Sequence, residues 1–596
     1  MRMLVYAAAF AAGMCWFEHS RARKLLVGTL ATATAAGCLV GVVRMVVSQT
    51  PLDLFAGYRL DDPVGYVNGL ASVAALGCLL CIAAASLELD TARHRRVLTT
   101  WRPSGRYSEG VARPTRGGFP IACFTAGASL CLGTLLLTQS RAGLTSLAVG
   151  TLLMVLIGPA RAQLAAFTAV AVVPVLVIGR LLLDPFRRIG EWTRSTWEAA
   201  NPSTPALRAE AIESVRLAGE VLLGAATIAG LLAGIYTALL LRRRTETYDR
   251  HLPPPPPTVP AANIPNRSPG HSLLPTSRRM QGIMVGVGMM LALLASLALP
   301  GGGPAGWGAD LVRGCIDPRS QDSTSGALTS TSHFSDMGGM RCDFWRVALA
   351  DAGAHPIRGI GADNFGDRYA QVGRSQETPD HAHSVVMSLV GELGLVGLML
   401  GGVLGAASIV GAWTFIRTAR RAAAAEVAAA AAIVMWFMHA NTDWLWQLPA
   451  STVPALLIAG SLARGSAPRG TRMPAPVATL APLALTAAAV AVIIAPAMTD
   501  RHLRASEDAL QRAQSLQAQP PRSRLLDSAA SHAVRARQLA PNAAAPWVMT
   551  SRVYLLEGNR AAAERAIARA QEIEPRTREV RAQRTMVDTS RRVPSQ

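Results

Sequence analysis

The sequence predicts an all-α, polytopic membrane protein of about 12 transmembrane helices. Three observations carry that expectation. Of 596 residues, 50% are hydrophobic and only 16% charged, which excludes disordered, collagenous and disulfide-dense secreted chains. Uncharged apolar runs recur along the chain at about the 20 residues that roughly 30 Å of hydrocarbon demands. The 58 Lys+Arg against 38 Asp+Glu give a net charge of +20. These arginines fall in clusters between apolar runs and form no basic stripe, so they read as topology signals and no nucleic-acid partner is expected.

In chain order the expected spans are 3–17, 25–47, 66–87, 118–138, 142–158, 162–183, 219–241, 282–300, 393–416, 423–440, 446–463 and 475–497. The first run resembles a signal-peptide core in length, but no small-residue cleavage site follows it. Arg21, Arg23 and Lys24, then Arg93, Arg95, Arg96, Arg102 and Arg106, then Arg242 to Arg244 follow alternate spans. So do Arg417, Arg420 and Arg421, and later Arg464, Arg469 and Arg472. Loops near span ends that are rich in arginine face the cytoplasm. Residues 48–65, 139–141, 184–218, 301–384, 441–445 and everything after 497 are then expected outside. An even span count also places the N-terminus outside, which suggests a missing upstream span.

The expected organisation is 1–241, transmembrane helices 1 to 7; 242–281, a cytoplasmic Pro-rich linker holding the run Pro253 to Pro257; and 282–300, helix 8. A large extracytoplasmic loop over 301–384, helices 9 to 12 within 385–497, and a C-terminal unit over 498–596 complete it. In that last unit Arg535, Ala536, Leu539 and Pro541 correspond to Arg569, Ala570, Ile573 and Pro575 at an offset of 34 residues. That is the tetratricopeptide period. About two such repeats would hold a partner protein or polymer end outside the membrane, or serve as a passive helical cap.

Cys15, Cys38, Cys78, Cys81, Cys123 and Cys131 fall inside expected spans, where a thiol behaves as a small apolar group. Cys315 and Cys342 fall in the large outer loop, where oxidation is permitted, and are expected to form a disulfide.

Polar residues avoid the spans and gather on the outer side. Tyr58, Arg59, Asp61, Asp62, Tyr66 and Asn68 lie in or beside the first outer loop. Thr138-Gln139-Ser140-Arg141 forms a turn with almost no loop, and the large loop adds Arg341, Arg346, His355, Arg358, His381 and His383. Guanidinium forks pair bidentately with phosphate oxygens, and an imidazole can take a proton from a sugar hydroxyl. A diphosphate-bearing glycan donor suits that combination.

His383-Ser384, nine residues, Gly394, two residues and Gly397 match the histidine signature H-[NSQ]-x9-G-x-x-[GTY] of the O-antigen ligase superfamily. Phe344-Trp345-Arg346, His355-Pro356 and Gly359-Ile360-Gly361 resemble the stretch that precedes that histidine, and Leu137 to Gly143 resembles the family's Ser-Arg turn. The turn His439 to Trp446 looks like an outer turn of some members. The resemblance spans roughly 48–463. It implies a wholly helical membrane transferase, similar to C-type glycosyltransferases, that moves a glycan from undecaprenyl diphosphate to a lipid, glycan or protein acceptor. It implies no cofactor, nucleotide or metal, inversion at the anomeric centre, and a multi-pass plasma-membrane protein with its active face and C-terminus extracytoplasmic. His383 would activate the acceptor, and Arg141, Arg346 and Arg341 would bind the diphosphate. His381, Ser384, Arg59 and Asp443 would support them. Two other readings stay open: a metal-dependent C-type glycosyltransferase, given Asp61-Asp62 in the first outer loop, and a lipid-linked glycan transporter.

Overall fold

A computed structural model describes residues 2–17, 20–100, 118–158, 161–197, 204–249, 340–374, 379–418, 424–465, 498–514, 519–541, 543–573 and 578–589. The expected spans 282–300 and 475–497, the Pro-rich linker from 250 on, and the loop before 340, Cys315 included, lie outside them. By packing the chain divides into Ala9–Ala478 and a second unit of Thr479–Gln596 with Met1–Ala8.

The first unit is a helical bundle that begins within α1 (Arg2–Trp16) and runs through α2 (Ser20–Val47), α3 (Val67–Thr100), α4 (Gly118–Leu137), α5 (Arg141–Ile157), α6 (Arg161–Val177), α7 (Gly179–Trp197) and α8 (Thr204–Asp249). It continues with α9 (Met340–Ala354), α10 (Phe365–Val372), α11 (Val385–Thr418), α12 (Ala424–Ala440) and α13 (Pro449–Gly465). The chain is thus an all-α polytopic membrane protein. A two-residue ribbon, Phe55–Ala56 with Arg59–Leu60, is the strand pairing among the described residues.

Among the described residues four helices are long and apolar enough to cross a bilayer alone, within α2, α3, α4 and α8. The expected sixth span differs from the structure: α6 and α7 meet at a 47° bend, and only together are they long and apolar enough for a broken span or a re-entrant loop. Pro174 inside α6 deprives the last turn of a hydrogen bond, and the residues expected as an outer loop from 184 continue as helix to Trp197. Among the described residues shorter apolar helices run over Val5–Trp16, Arg141–Ile157, Val427–Ala440 and Pro449–Ala463, near expected spans, and over Val385–Met399, which starts eight residues before the expected span 393–416.

Burial decides which helix is central. The apolar stretch of α3 is 94% buried within the protein, against 39% for those of α2 and α8. Its Ala71, Ala74, Ala75, Ala83 and Ala85 are fully buried, and such small side chains let neighbouring helices approach closely. Leu231, Leu232, Ile235 and Leu239 of α8 stay exposed, as lipid-facing residues must.

The second unit contains a helix over 498–514, then α14 (Gln519–Leu539), α15 (Ala544–Leu556), α16 (Arg560–Ile573) and α17 (Arg578–Thr589). Buried alanines, Ala529, Ala533 and Ala536 on α14 and Ala563, Ala566 and Ala570 on α16, set its close packing. The Ser551 hydroxyl donates to the Ala563 carbonyl at 3.0 Å, tying α15 to α16.

Candidate active site

The turn between α4 and α5 is short because its own side chains satisfy it. The Ser140 hydroxyl accepts from the Gly143 amide at 3.2 Å, an N-cap that starts α5 with Arg141 as its first residue. Gln139 takes a left-handed backbone, φ 50°. Arg59 braces the turn from the first loop: its Nε donates to the Thr138 carbonyl at 2.7 Å and its Nη2 to Asn68 Oδ1 at 2.9 Å. Burial pulls the Arg59 pKa down to about 10, with Tyr66 and Asp443 opposing and Arg341 and Arg141 reinforcing the fall. Arg59 therefore feels both of the other guanidiniums.

His383 lies just before α11, also with a left-handed backbone, φ 50°. Such conformations are costly for a branched or bulky residue, and they concentrate where a side chain must be aimed. Its Nδ1 is 2.9 Å from the His381 carbonyl oxygen. A carbonyl only accepts, so Nδ1 carries the proton and Nε2 keeps its lone pair. The ring rests on Phe344, centroids 5.2 Å apart, and Nε2 stands 3.9 Å from Asp443 Oδ1.

Asp443 is fully buried in the turn after α12. The Tyr66 hydroxyl donates to it at 2.6 Å, the Asn68 amide donates to its other oxygen, and Arg341 Nη2 approaches that oxygen at 3.4 Å. Burial alone would push its carboxyl up, but Arg341, His383 and the Tyr66 hydrogen bond outweigh it and hold the group below the ordinary carboxylate value.

Of the two rival loop arginines, Arg341 faces this site and Arg346 does not. Five residues apart on α9, they point about 140° apart around the helix axis. Arg341 shares its face with Phe344. Arg346 Nε instead donates to Asp343 Oδ1 at 2.7 Å and its Nη2 to the Val372 carbonyl at 3.0 Å. Asp343 also accepts from the Tyr369 hydroxyl at 2.6 Å and the Arg374 amide at 2.7 Å.

The other expected residues support their surroundings. Ser384 Oγ accepts from the Met387 amide and donates to Asn441 Oδ1, both at 3.3 Å, capping α11 and joining it to the Asp443 turn. His381 Nδ1 lies 3.2 Å from Gln447 Nε2, and its ring packs on Trp444 at 5.6 Å. Cys342 is disulfide-bonded; Cys315, its expected partner, lies outside the described residues. Asp62 pairs with Arg44 of α2.

The glycines of the histidine signature also acquire a physical role. Gly394 breaks α11 with φ 61° and ψ −150°. A Cβ there would come within 2.7 Å of the Gly359 nitrogen and the Pro356 oxygen. Across this break the Gly361 amide donates to the Glu392 carbonyl and the Leu395 amide to the Pro356 carbonyl, each at 2.8 Å. The loop is thereby pinned to the helix that begins beside His383. Sequence reasoning did not identify Tyr66 and Asn68 as the partners of Asp443, nor buried His439; the helix phase of α9 is the signal that could have separated Arg341 from Arg346.

No curated protein matches the chain. Residues 221–401 match the family model described as O-Antigen ligase, a stretch that includes Arg341, Arg346, His383, Gly394 and Gly397. Over that stretch the chain is similar to the O-antigen ligase family, which supports a membrane glycan ligase or polymerase.

Proposed function

We propose that this protein transfers a glycan from an undecaprenyl-diphosphate carrier to an acceptor hydroxyl on the extracytoplasmic side of the plasma membrane. The observation that carries this reading is the positive charge gathered beside His383: Arg341 approaches buried Asp443 at 3.4 Å, and Arg59 feels Asp443, Arg341 and Arg141. Such charge suits a diphosphate, and His383 Nε2 beside it suits a hydroxyl that must lose its proton.

The acceptor hydroxyl gives its proton to Nε2 as its oxygen attacks the anomeric carbon. The bond from that carbon to the phosphate oxygen breaks, the lipid diphosphate departs with the electron pair, and the anomeric centre inverts. Asp443, 3.9 Å from Nε2, stabilises the imidazolium that forms. Arg141 and Arg341 offset the charge gathering on the leaving group. Arg59 positions the Arg141 turn, and Arg346 organises the loop through Asp343. The 34-residue offset in the C-terminal unit supports a tetratricopeptide-like docking function for an envelope partner.

The test incubates purified protein with undecaprenyl-diphosphate-linked glycan and crude acceptor lipid or protein. His383→Ala should lose about 10² to 10⁴-fold in rate, the usual worth of a general base. Equal transfer by both proteins would refute the assigned base. Arg141→Lys should fold yet lose most activity, because a point charge does not replace a bidentate fork.

A further inference from the structure

His439 ends α12, four residues before Asp443, and is completely buried. Among the described residues neither of its ring nitrogens has a hydrogen-bond partner. In either neutral tautomer an imidazole offers one donor and one acceptor, and burying both unsatisfied is destabilising. Folded proteins leave few such groups, and those that persist call for a reason.

The position of the ring indicates what completes it. A Cβ built on Gly143 would stand 3.3 Å from His439 Cε1, the atom between the two ring nitrogens. Gly143 is the third residue of α5, whose first is Arg141. The imidazole tip therefore points at the first turn of a 17-residue helix, where the Gly143 amide is taken by Ser140 but the positive end of the helix dipole still favours an anion. Asp443 and Arg341 lie within electrostatic range of the ring. The acceptor hydroxyl has to meet His383 beside Asp443, which leaves the helix side, with Arg141, to the phosphates.

We propose that His439 is a second substrate-binding imidazole, whose ring N–H donates to a phosphoryl oxygen of the donor held between Arg141 and the first turn of α5. This rests on the diphosphate donor proposed above. A neutral imidazole suffices, since the bond needs one N–H and no added charge. The buried ring stays unsatisfied without ligand and is completed when the phosphate enters.

The experiment compares the wild-type protein, His439→Leu and His439→Gln by thermal shift and binding titration with undecaprenyl diphosphate, and separately with inorganic diphosphate. His439→Leu should raise the ligand-free Tm, because it removes an unsatisfied buried group, and should bind undecaprenyl diphosphate about tenfold more weakly. His439→Gln retains an N–H donor and should recover part of that affinity; a Gln variant as weak as Leu overturns the hydrogen-bond assignment. If Leu prevents folding, His439→Met, unbranched and adaptable, carries the same test. A His439-dependent shift with inorganic diphosphate assigns the contact to the headgroup alone, and one seen only with the lipid assigns it to the lipid-borne diphosphate. Unchanged affinity in the Leu variant marks a core histidine and overturns this inference while the donor assignment stands. Failure of the wild-type protein to bind undecaprenyl diphosphate overturns both.

Discussion

Two buried carboxylates, Asp443 and Asp343, gather nearly the same chemistry and do different things with it. Each accepts from a tyrosine hydroxyl at 2.6 Å and each meets an arginine. Asp343 draws its partners from Arg346, Tyr369 and Arg374, all within one loop segment. Asp443 draws Tyr66 and Asn68 from more than 370 residues earlier and Arg341 from 102 residues earlier, and it stands beside His383. The Asp343 knot closes on itself: its arginine also spends a second nitrogen on the Val372 carbonyl. Arg341 reaches Asp443 at a longer 3.4 Å, while the two arginine side chains are equally exposed. A saturated knot organises a loop, whereas an incompletely committed one can engage a ligand.

The sharpest way to break this comparison is to remove each carboxylate. Asp443→Ala and Asp343→Ala should each cost about 1–3 kcal/mol of stability, since each removes the acceptor of several hydrogen-bond donors; chemical denaturation measures this. Asparagine at each position is gentler. Asp443→Asn should lower kcat per folded molecule by about 10²-fold, the low end of general-base assistance, while Asp343→Asn should leave kcat within a few-fold. Equal kcat losses would erase the distinction.

The arginines supply the next contrast. Arg341→Ala should weaken donor binding or turnover by tenfold or more, the worth of about 1.4 kcal/mol, beside the Tm lost by leaving buried Asp443 without its arginine. Arg346→Ala should lower stability by about 1–2 kcal/mol through its lost charge-assisted hydrogen bonds and leave kcat within a few-fold. Steady-state kinetics beside thermal melts decides it.

A smaller effect follows from pH. The Asp443 carboxyl is held below its ordinary value of 3.8. A carboxyl depressed in the folded state contributes stability that is fully present above the unfolded value and is lost as pH falls through the lower folded one. The protein should therefore lose Tm in acid below that range, and Asp443→Asn should lose less of it. The smallest effect is expected of Ser384→Ala, which removes the N-cap of α11 and should cost about 1 kcal/mol with kcat within a few-fold. A large kcat loss there would move Ser384 from capping into chemistry.

Much of this was legible in the sequence because it depends on local patterns. Span-length apolar runs, the capped Thr138 to Arg141 turn and the glycine of the histidine signature each follow from rules that act within a few residues. Pro174 could be read as a breaker, yet the bent continuation from α6 into α7 was not evident, because the polar residues from Asp184 onward look like loop until packing against α8 gives them a helical face.

The sequence by itself determined a helical membrane protein, the histidine that carries the family signature, and the concentration of arginines in particular connecting segments. Only the tertiary structure decided which carboxylate stands beside that histidine, which arginine meets that carboxylate, and that His439 points its ring at the first turn of α5. The physical reason is distance along the chain. Hydropathy, capping and backbone strain are properties of neighbours, whereas the pairing of Tyr66 with Asp443 and the phase that turns Arg341 toward it exist only once the helices have packed.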